Sequence, residues 1–129
     1  MKSKAVFRTA CGIAALCLIA SVIFGLRGHT SETKVVADKP SPYTQEQIEA
    51  AARAVKWDVK RRFGWELLEL TYEGCGVLED GKSAVFFKAV IRTGFLTDGS
   101  APPCSMLYWG FWVAQRPNDG WSVVRCGYG

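Results

Sequence analysis

The chain has 129 residues, and its 16 Lys and Arg against 12 Asp and Glu give a formal net charge of +4. Hydrophobic residues make up 49% of it, which excludes an intrinsically disordered chain. From His29 onward 12 Lys and Arg balance 12 Asp and Glu, so the excess positive charge lies at the N-terminus. A nucleic-acid-binding domain would need that charge on its own surface, so no nucleic-acid partner is expected.

The N-terminus has the pattern of a membrane-targeting segment. Residues 9–26 carry no charge, and as a helix they would extend ~27 Å, close to the thickness of a thin hydrocarbon core. Positive side chains before this run predict a cytoplasmic N-terminus by the positive-inside rule. The sequence therefore predicts a single-pass membrane protein with cytoplasmic residues 1–8, a transmembrane signal anchor at 9–26, a stalk at 27–42 and an extracytoplasmic domain at 43–129.

A cleaved signal peptide is the alternative interpretation of the same segment. The residues directly after the apolar run, Phe24-Gly25-Leu26-Arg27, lack the small-x-small pattern of a cleavage site. The first such pattern is Val35-Val36-Ala37, and cleavage there would release a secreted chain that begins near Asp38. The missing earlier site favours the uncleaved anchor.

A helix is predicted from Thr44 to Gly64. Thr44 and Gln47 have the spacing of a capping box, and Gly64 is a typical helix stop. Apolar residues recur at steps of three and four, so one face of this helix should cover a sheet. That face is formed by Ile48, Ala51, Ala52, Val55, Val59 and Phe63.

A hairpin follows, with Asp80-Gly81 as its expected two-residue turn. This turn sets a register that pairs Glu73 with Lys88 and Glu69 with Arg92. The same register gives one apolar face for the helix to cover, formed by Leu68, Leu70, Tyr72, Val85, Phe87, Ala89 and Ile91.

Two more strands are predicted at residues 106–115 and 121–128, joined by a turn at Pro117-Asn118-Asp119-Gly120. The expected fold class is α+β, with one N-terminal helix packed on a four-stranded antiparallel meander sheet. This order of elements resembles the cystatin-like group of folds, which includes relatives of the nuclear-transport-factor type. Where true cystatins carry a Gln-x-Val-x-Gly loop, this chain has residues 76–81, Gly-Val-Leu-Glu-Asp-Gly, so the resemblance does not imply protease inhibition.

Three cysteines lie outside the N-terminal run. In an antiparallel meander Cys104 and Cys126 fall at the same end of the sheet, so they are the expected disulfide pair, although the loop before Cys104 would have to fold back. Cys75 would then be a buried free thiol or an intermolecular link.

The residue types that carry most enzyme chemistry are missing from the expected domain. The only histidine is His29, and three cysteines are one ligand short of a Cys-only zinc site, so no metal or cofactor is expected. Catalysis by carboxylates is harder to exclude, because several carboxylates could lie in a cleft. An ion-paired surface is the simpler interpretation of these residues. These carboxylates are Glu66, Glu69, Glu73 and Asp98.

Aromatic residues stand out in the third and fourth strands. Because they occupy successive positions, some must lie on the sheet face that the helix leaves open, and an exposed apolar patch indicates docking. We therefore expect a non-catalytic, membrane-tethered binding module for a protein partner, such as an envelope accessory, inhibitor or exclusion-type protein. The alternative is a small ligand carrier or enzyme with a pocket between helix and sheet. The predicted partner-binding residues are Tyr108, Trp109, Trp112, Trp121 and Tyr128.

Overall fold

The structure is a computed structural model, and it describes residues 11–19, 28–30, 32–118 and 120–128. These residues contain helix α1 at 11–19, helix α2 at Gln45–Lys60 and one mixed sheet of five strands. The strands lie side by side in chain order, with β1 parallel to β2 and the other pairs antiparallel. They are β1 (Lys34–Val36), β2 (Trp65–Val77), β3 (Ser83–Thr93), β4 (Met106–Gln115) and β5 (Trp121–Tyr128).

The predicted four-stranded antiparallel meander is wrong, because the sheet has a fifth strand that runs parallel to its neighbour. That strand, β1, comes from the segment that we expected to be a stalk. Just before it, the backbone N–H of His29 donates to the Trp65 carbonyl at 2.8 Å, and the His29 carbonyl accepts from Leu67 at 2.9 Å. A strand of three residues is too short to show an alternating pattern of apolar and polar side chains. Its pairing with β2 therefore defines this strand, and its own sequence pattern does not.

The predicted transmembrane helix at residues 9–26 and the single-pass location are also corrected. The described part of helix α1, residues 11–19, extends ~14 Å, which by itself is shorter than a ~30 Å hydrocarbon core. No helix in the part of the chain that the structure describes is long and apolar enough to cross a membrane. The rest of that segment, residues 9–10 and 20–26, lies outside the described residues.

Helix α2 begins as the sequence indicates. The Thr44 hydroxyl accepts from the Gln47 backbone N–H at 3.2 Å, and the Gln47 side chain accepts from the Thr44 backbone N–H at 2.9 Å, which completes the capping box. Its buried face lies on the sheet and forms the core together with Tyr72, Phe87 and Phe111. The buried residues of α2 are Ile48, Ala51, Ala52, Val55 and Val59.

The hairpin between β2 and β3 has a different turn from the predicted one. Leu78 and Lys82 close a three-residue loop, in which the Gly81 N–H donates to the Leu78 carbonyl and Gly81 has φ +82°. A turn followed by a left-handed residue is the usual three-residue hairpin loop, and it shifts the register by one residue. Glu73 is therefore not opposite Lys88. Together with two bulges in β2, the turn places Arg92 opposite Glu66 instead of Glu69.

Two bulges in β2 then change the register twice more, between Tyr72 and Gly74 and between Leu67 and Glu69. Each bulge adds one unpaired residue and reverses which side chains point to the helix. The turn and the first bulge together shift the pairing by two, so Leu70 and Tyr72 still face the core. The second bulge places Leu67 in the core, and the prediction that Leu68 lies there is wrong.

The predicted disulfide is absent, since Cys75, Cys104 and Cys126 are all free thiols. Cys126 lies opposite Phe111, well inside β4, whereas Cys104 lies in the loop before β4 begins. The loop does not fold back along the strand, because the Cys104 N–H donates to the Gly94 carbonyl at the end of β3. Strand spacing of ~3.3 Å per residue therefore keeps the two thiols beyond the separation that a disulfide requires.

Candidate binding surfaces

The sheet face opposite α2 is the first candidate surface, and we call it the open face. On β3 and β4 it presents two rows of paired residues, Val90 beside Tyr108 and Phe86 beside Trp112. Tyr108 is 65% exposed and Met106, next along the same side of β4, is 59% exposed. The face thus carries a strip of apolar side chains that no described element covers, interrupted by the exposed Lys88 between Phe86 and Val90.

Small residues beneath the strip determine how its aromatic rings lie. A Cβ atom at Gly110 would come within 2.8 Å of the Phe86 ring, and one at Gly76 would meet the Trp112 ring at 4.0 Å. The two rings therefore lie across the strands, with their centroids 4.8 Å apart and an interplanar angle of 34°. Next to them on the same face, Ala84 and Ala114 pair with each other and are nearly inaccessible to solvent.

Of the five predicted partner-binding residues, Tyr108 and Trp112 lie on the open face. Trp109 alternates to the other face, where it is 7% exposed and contacts Trp65 edge to face at 5.3 Å. Tyr128 packs on Trp109 at the end of the sheet, and Trp121 packs on Tyr43 beside α2. The five residues therefore form three separate groups and not one patch.

Ion pairs surround the open face. Arg92 binds the Glu66 carboxylate through two guanidinium nitrogens, at 2.7 and 3.0 Å. At the opposite end Arg125 lies 3.6 Å from Glu79. An apolar strip between charged residues has the arrangement of interface cores with polar rims.

The carboxylates considered for catalysis do not converge. Glu66 is paired with Arg92, and Asp98 accepts hydrogen bonds from Ser100 in an exposed loop. Glu73 accepts a hydrogen bond from Lys39, which lowers the pKa of the Glu73 carboxyl. Glu69 accepts from the Thr71 hydroxyl in the same strand at 3.3 Å. Within the described residues no group of three or more His, Cys, Asp or Glu side chains could hold a metal ion.

A second polar cluster lies where α2 ends against the sheet. Arg62 binds Asp58 at 3.0 Å, stacks on the Trp65 ring at 4.6 Å and donates to the Cys126 sulfur at 3.2 Å. Burial alone would lower the pKa of Arg62, but the hydrogen bond and charge of Asp58 outweigh it and raise that pKa. The cluster fastens the helix end to β2 and β5.

The second candidate surface is an open groove of ≈ 580 Å³ between α2 and β5, which we call the α2–β5 groove. The helix contributes Arg53 and Trp57 to its wall, its C-cap residue Arg61 follows them, and the start of β5 contributes Trp121. Arg116, which precedes the turn into β5, closes one end. The sequence interpretation missed this groove, although Arg53, Trp57 and Arg61 recur at steps of four, the spacing that places residues on one helix face.

Comparison of the chain with protein-family models, with curated proteins and with solved structures finds no match.

Proposed function

We propose that this chain is a non-catalytic binding module that docks a protein partner through its open face. The observation that carries the proposal is the exposed pair Met106 and Tyr108, which lies on the same sheet face as the packed Phe86 and Trp112 rings. Rigid aromatic side chains with few rotamers are the residue types that dominate protein interfaces. A patch of this kind, bordered by ion pairs, fits a protein surface better than a small molecule.

The packing under α2 supports a binding module over a ligand carrier. Ala51, Val55 and Val59 are completely buried against the sheet, so close contact between helix and sheet occupies the space where a carrier would hold its ligand. Such carriers need a concave, largely apolar pocket.

Photo-crosslinking in cells, with benzoylphenylalanine at position 108, would identify the partner by mass spectrometry. Affinity for the purified partner is then compared between the wild-type chain and the double variant Met106→Ser/Tyr108→Ser. We expect at least a tenfold loss, because residues at the centre of an interface carry most of the binding energy.

The matched control is Phe95→Ser/Leu96→Ser, which removes two exposed apolar side chains from a loop away from the open face. This variant should bind the partner within twofold of the wild-type chain. Equal losses in the two variants would contradict the proposal, and so would crosslinks that join only two copies of this chain.

A further inference from the structure

We propose that the α2–β5 groove binds an extended acidic peptide segment of a partner protein. This site is separate from the open face, since the helix lies on the other side of the sheet. The proposal follows from the charge of the groove, the spacing of its side chains and the strand that borders it.

The groove carries an excess of positive charge. Three guanidinium groups line it, from Arg53, Arg61 and Arg116, and Asp58 is the one carboxylate among its described lining residues. Asp58 is already bound by Arg62 at 3.0 Å and lies 3.7 Å from Arg61. Neither Arg53 nor Arg116 forms an ion pair with any residue that the structure describes. An acidic ligand would supply the missing partners.

Two indole rings supply apolar contact area between these charges. Trp57, in the last turn of α2, is 66% exposed, and Trp121 is half-buried on the opposite wall. A tryptophan left exposed between two arginines has no role in the core. Arginine and tryptophan are also the residue types most enriched where peptides and proteins bind.

The spacing of the side chains indicates the form of the ligand. Arg53 and the C-cap residue Arg61 are separated by two steps of four residues, which is ~12 Å at the rise of a helix. Acidic residues at positions one and five of an extended peptide are ~13 Å apart and lie on the same side of the peptide. Trp57, between the two arginines, would contact the residue at position three. The ligand pattern is therefore acidic, any, apolar, any, acidic.

The neighbouring strand favours an extended peptide over a helix. β5 is the last strand of the sheet, and its residues 121–123 border the groove. The outer edge of such a strand presents backbone donors and acceptors that can pair with an added strand. The opposite edge of β2 is already covered by β1 and by the residues around His29.

The probe is a fluorescein-labelled peptide with the sequence Gly-Glu-Thr-Phe-Thr-Glu-Gly, and fluorescence anisotropy with the full chain measures its binding. We expect Arg53→Gln and Arg61→Gln to weaken binding about threefold each, because exposed ion pairs are individually modest. Trp57→Ala should weaken it about tenfold. High salt should reduce the affinity of the wild-type chain, since the contacts are exposed to solvent.

Lys60→Gln is the matched control, because it removes one positive charge from the same helix without touching the groove. The affinity of this variant for the acidic peptide should stay within twofold of the wild-type value. The same is expected of Tyr108→Ser, on the open face. A peptide with Lys in place of both Glu residues should not bind. Circular dichroism spectra of all variants should match that of the wild-type chain, since every substituted side chain is exposed.

Four results would overturn the proposal. The first is no binding of the acidic peptide at about 1 mM, and the second is an equal loss in Lys60→Gln and in the groove variants. The third is tighter binding of an oligothymidylate of about 20 nucleotides, which would identify a general polyanion surface. The fourth is self-association of the chain that the groove variants abolish, which would make a second copy the occupant.

Discussion

The two faces of the central strands use aromatic residues in opposite ways. On the face under α2, Phe87 and Phe111 pair with each other and are completely buried in the core. On the open face, Phe86 and Trp112 lie flat over glycine and stay partly exposed. The same residue types thus build a core on one side and a surface on the other, and the helix that covers only one face makes the difference.

The largest expected effect in a test of this comparison comes from removing an aromatic side chain from each face. Phe111→Ala should lower the free energy of unfolding by ~3–5 kcal/mol, because it leaves a cavity in the centre of the core. Tyr108→Ala should change it by less than ~0.5 kcal/mol, because the side chain is already largely in water. Urea denaturation measures both values. Similar losses in the two variants would show that the open face is part of the core.

Parts of this arrangement can be predicted from the sequence because they depend on local patterns. The capping box at Thr44 and Gln47 and the apolar stripe of α2 need only neighbouring residues. The structure confirms the capping box and the stripe except for Phe63, which lies beyond the end of the helix and is 45% exposed. The four strands from β2 to β5 lie where alternating and aromatic runs indicate. Local patterns therefore suffice to predict the helix and the positions of most strands.

The remaining features depend on contacts between distant residues. The hairpin register was wrong because Asp80-Gly81 fits both a two-residue and a three-residue loop, and the bulges in β2 have no sequence signal of their own. β1 forms only because β2 offers it an edge. Trp109 and Trp112 look alike in sequence. They lie on opposite faces of the sheet because successive residues of a strand point to alternate faces.

A second test concerns the flat rings of the open face. Gly110→Ala would place a Cβ atom 2.8 Å from the Phe86 ring, so the ring must move. We expect a loss of ~1–2 kcal/mol in the free energy of unfolding, as for other overpacked sites. Thermal and urea unfolding of the purified variant would measure it.

The matched control is the cross-strand partner of Gly110 on the same face. Gly127 pairs with Gly110, and a Cβ atom there would meet nothing within 4 Å. Gly127→Ala should therefore be neutral or stabilising by up to ~1 kcal/mol, because alanine reduces the freedom of the unfolded chain. Adding Phe86→Leu to Gly110→Ala should recover part of the loss. If Gly110→Ala is as harmless as Gly127→Ala, the Phe86 ring does not lie across the strand.

The smallest expected effect lies at the bulge that returns β2 to the correct face. Glu73 is the extra residue between Tyr72 and Gly74, and its hydrogen bond with Lys39 lowers the pKa of the carboxyl and raises that of the ammonium group. A lowered carboxyl pKa contributes stability above the ordinary value of about 4.5, and that contribution disappears as the pH falls through the lower folded value. The raised Lys39 pKa acts in the opposite sense, so its contribution is present below about pH 10.5 and is lost above it.

Glu73→Gln should therefore be slightly less stable than the wild-type chain at neutral pH and equal to it in acid, as urea midpoints across the acid range would measure. The control is Glu49→Gln, since Glu49 is an exposed carboxylate without an ion pair to a described residue; its stability difference from the wild-type chain should not change in this way with pH. A constant difference for Glu73→Gln at all pH values would mean that the backbone holds the bulge and that this ion pair does not.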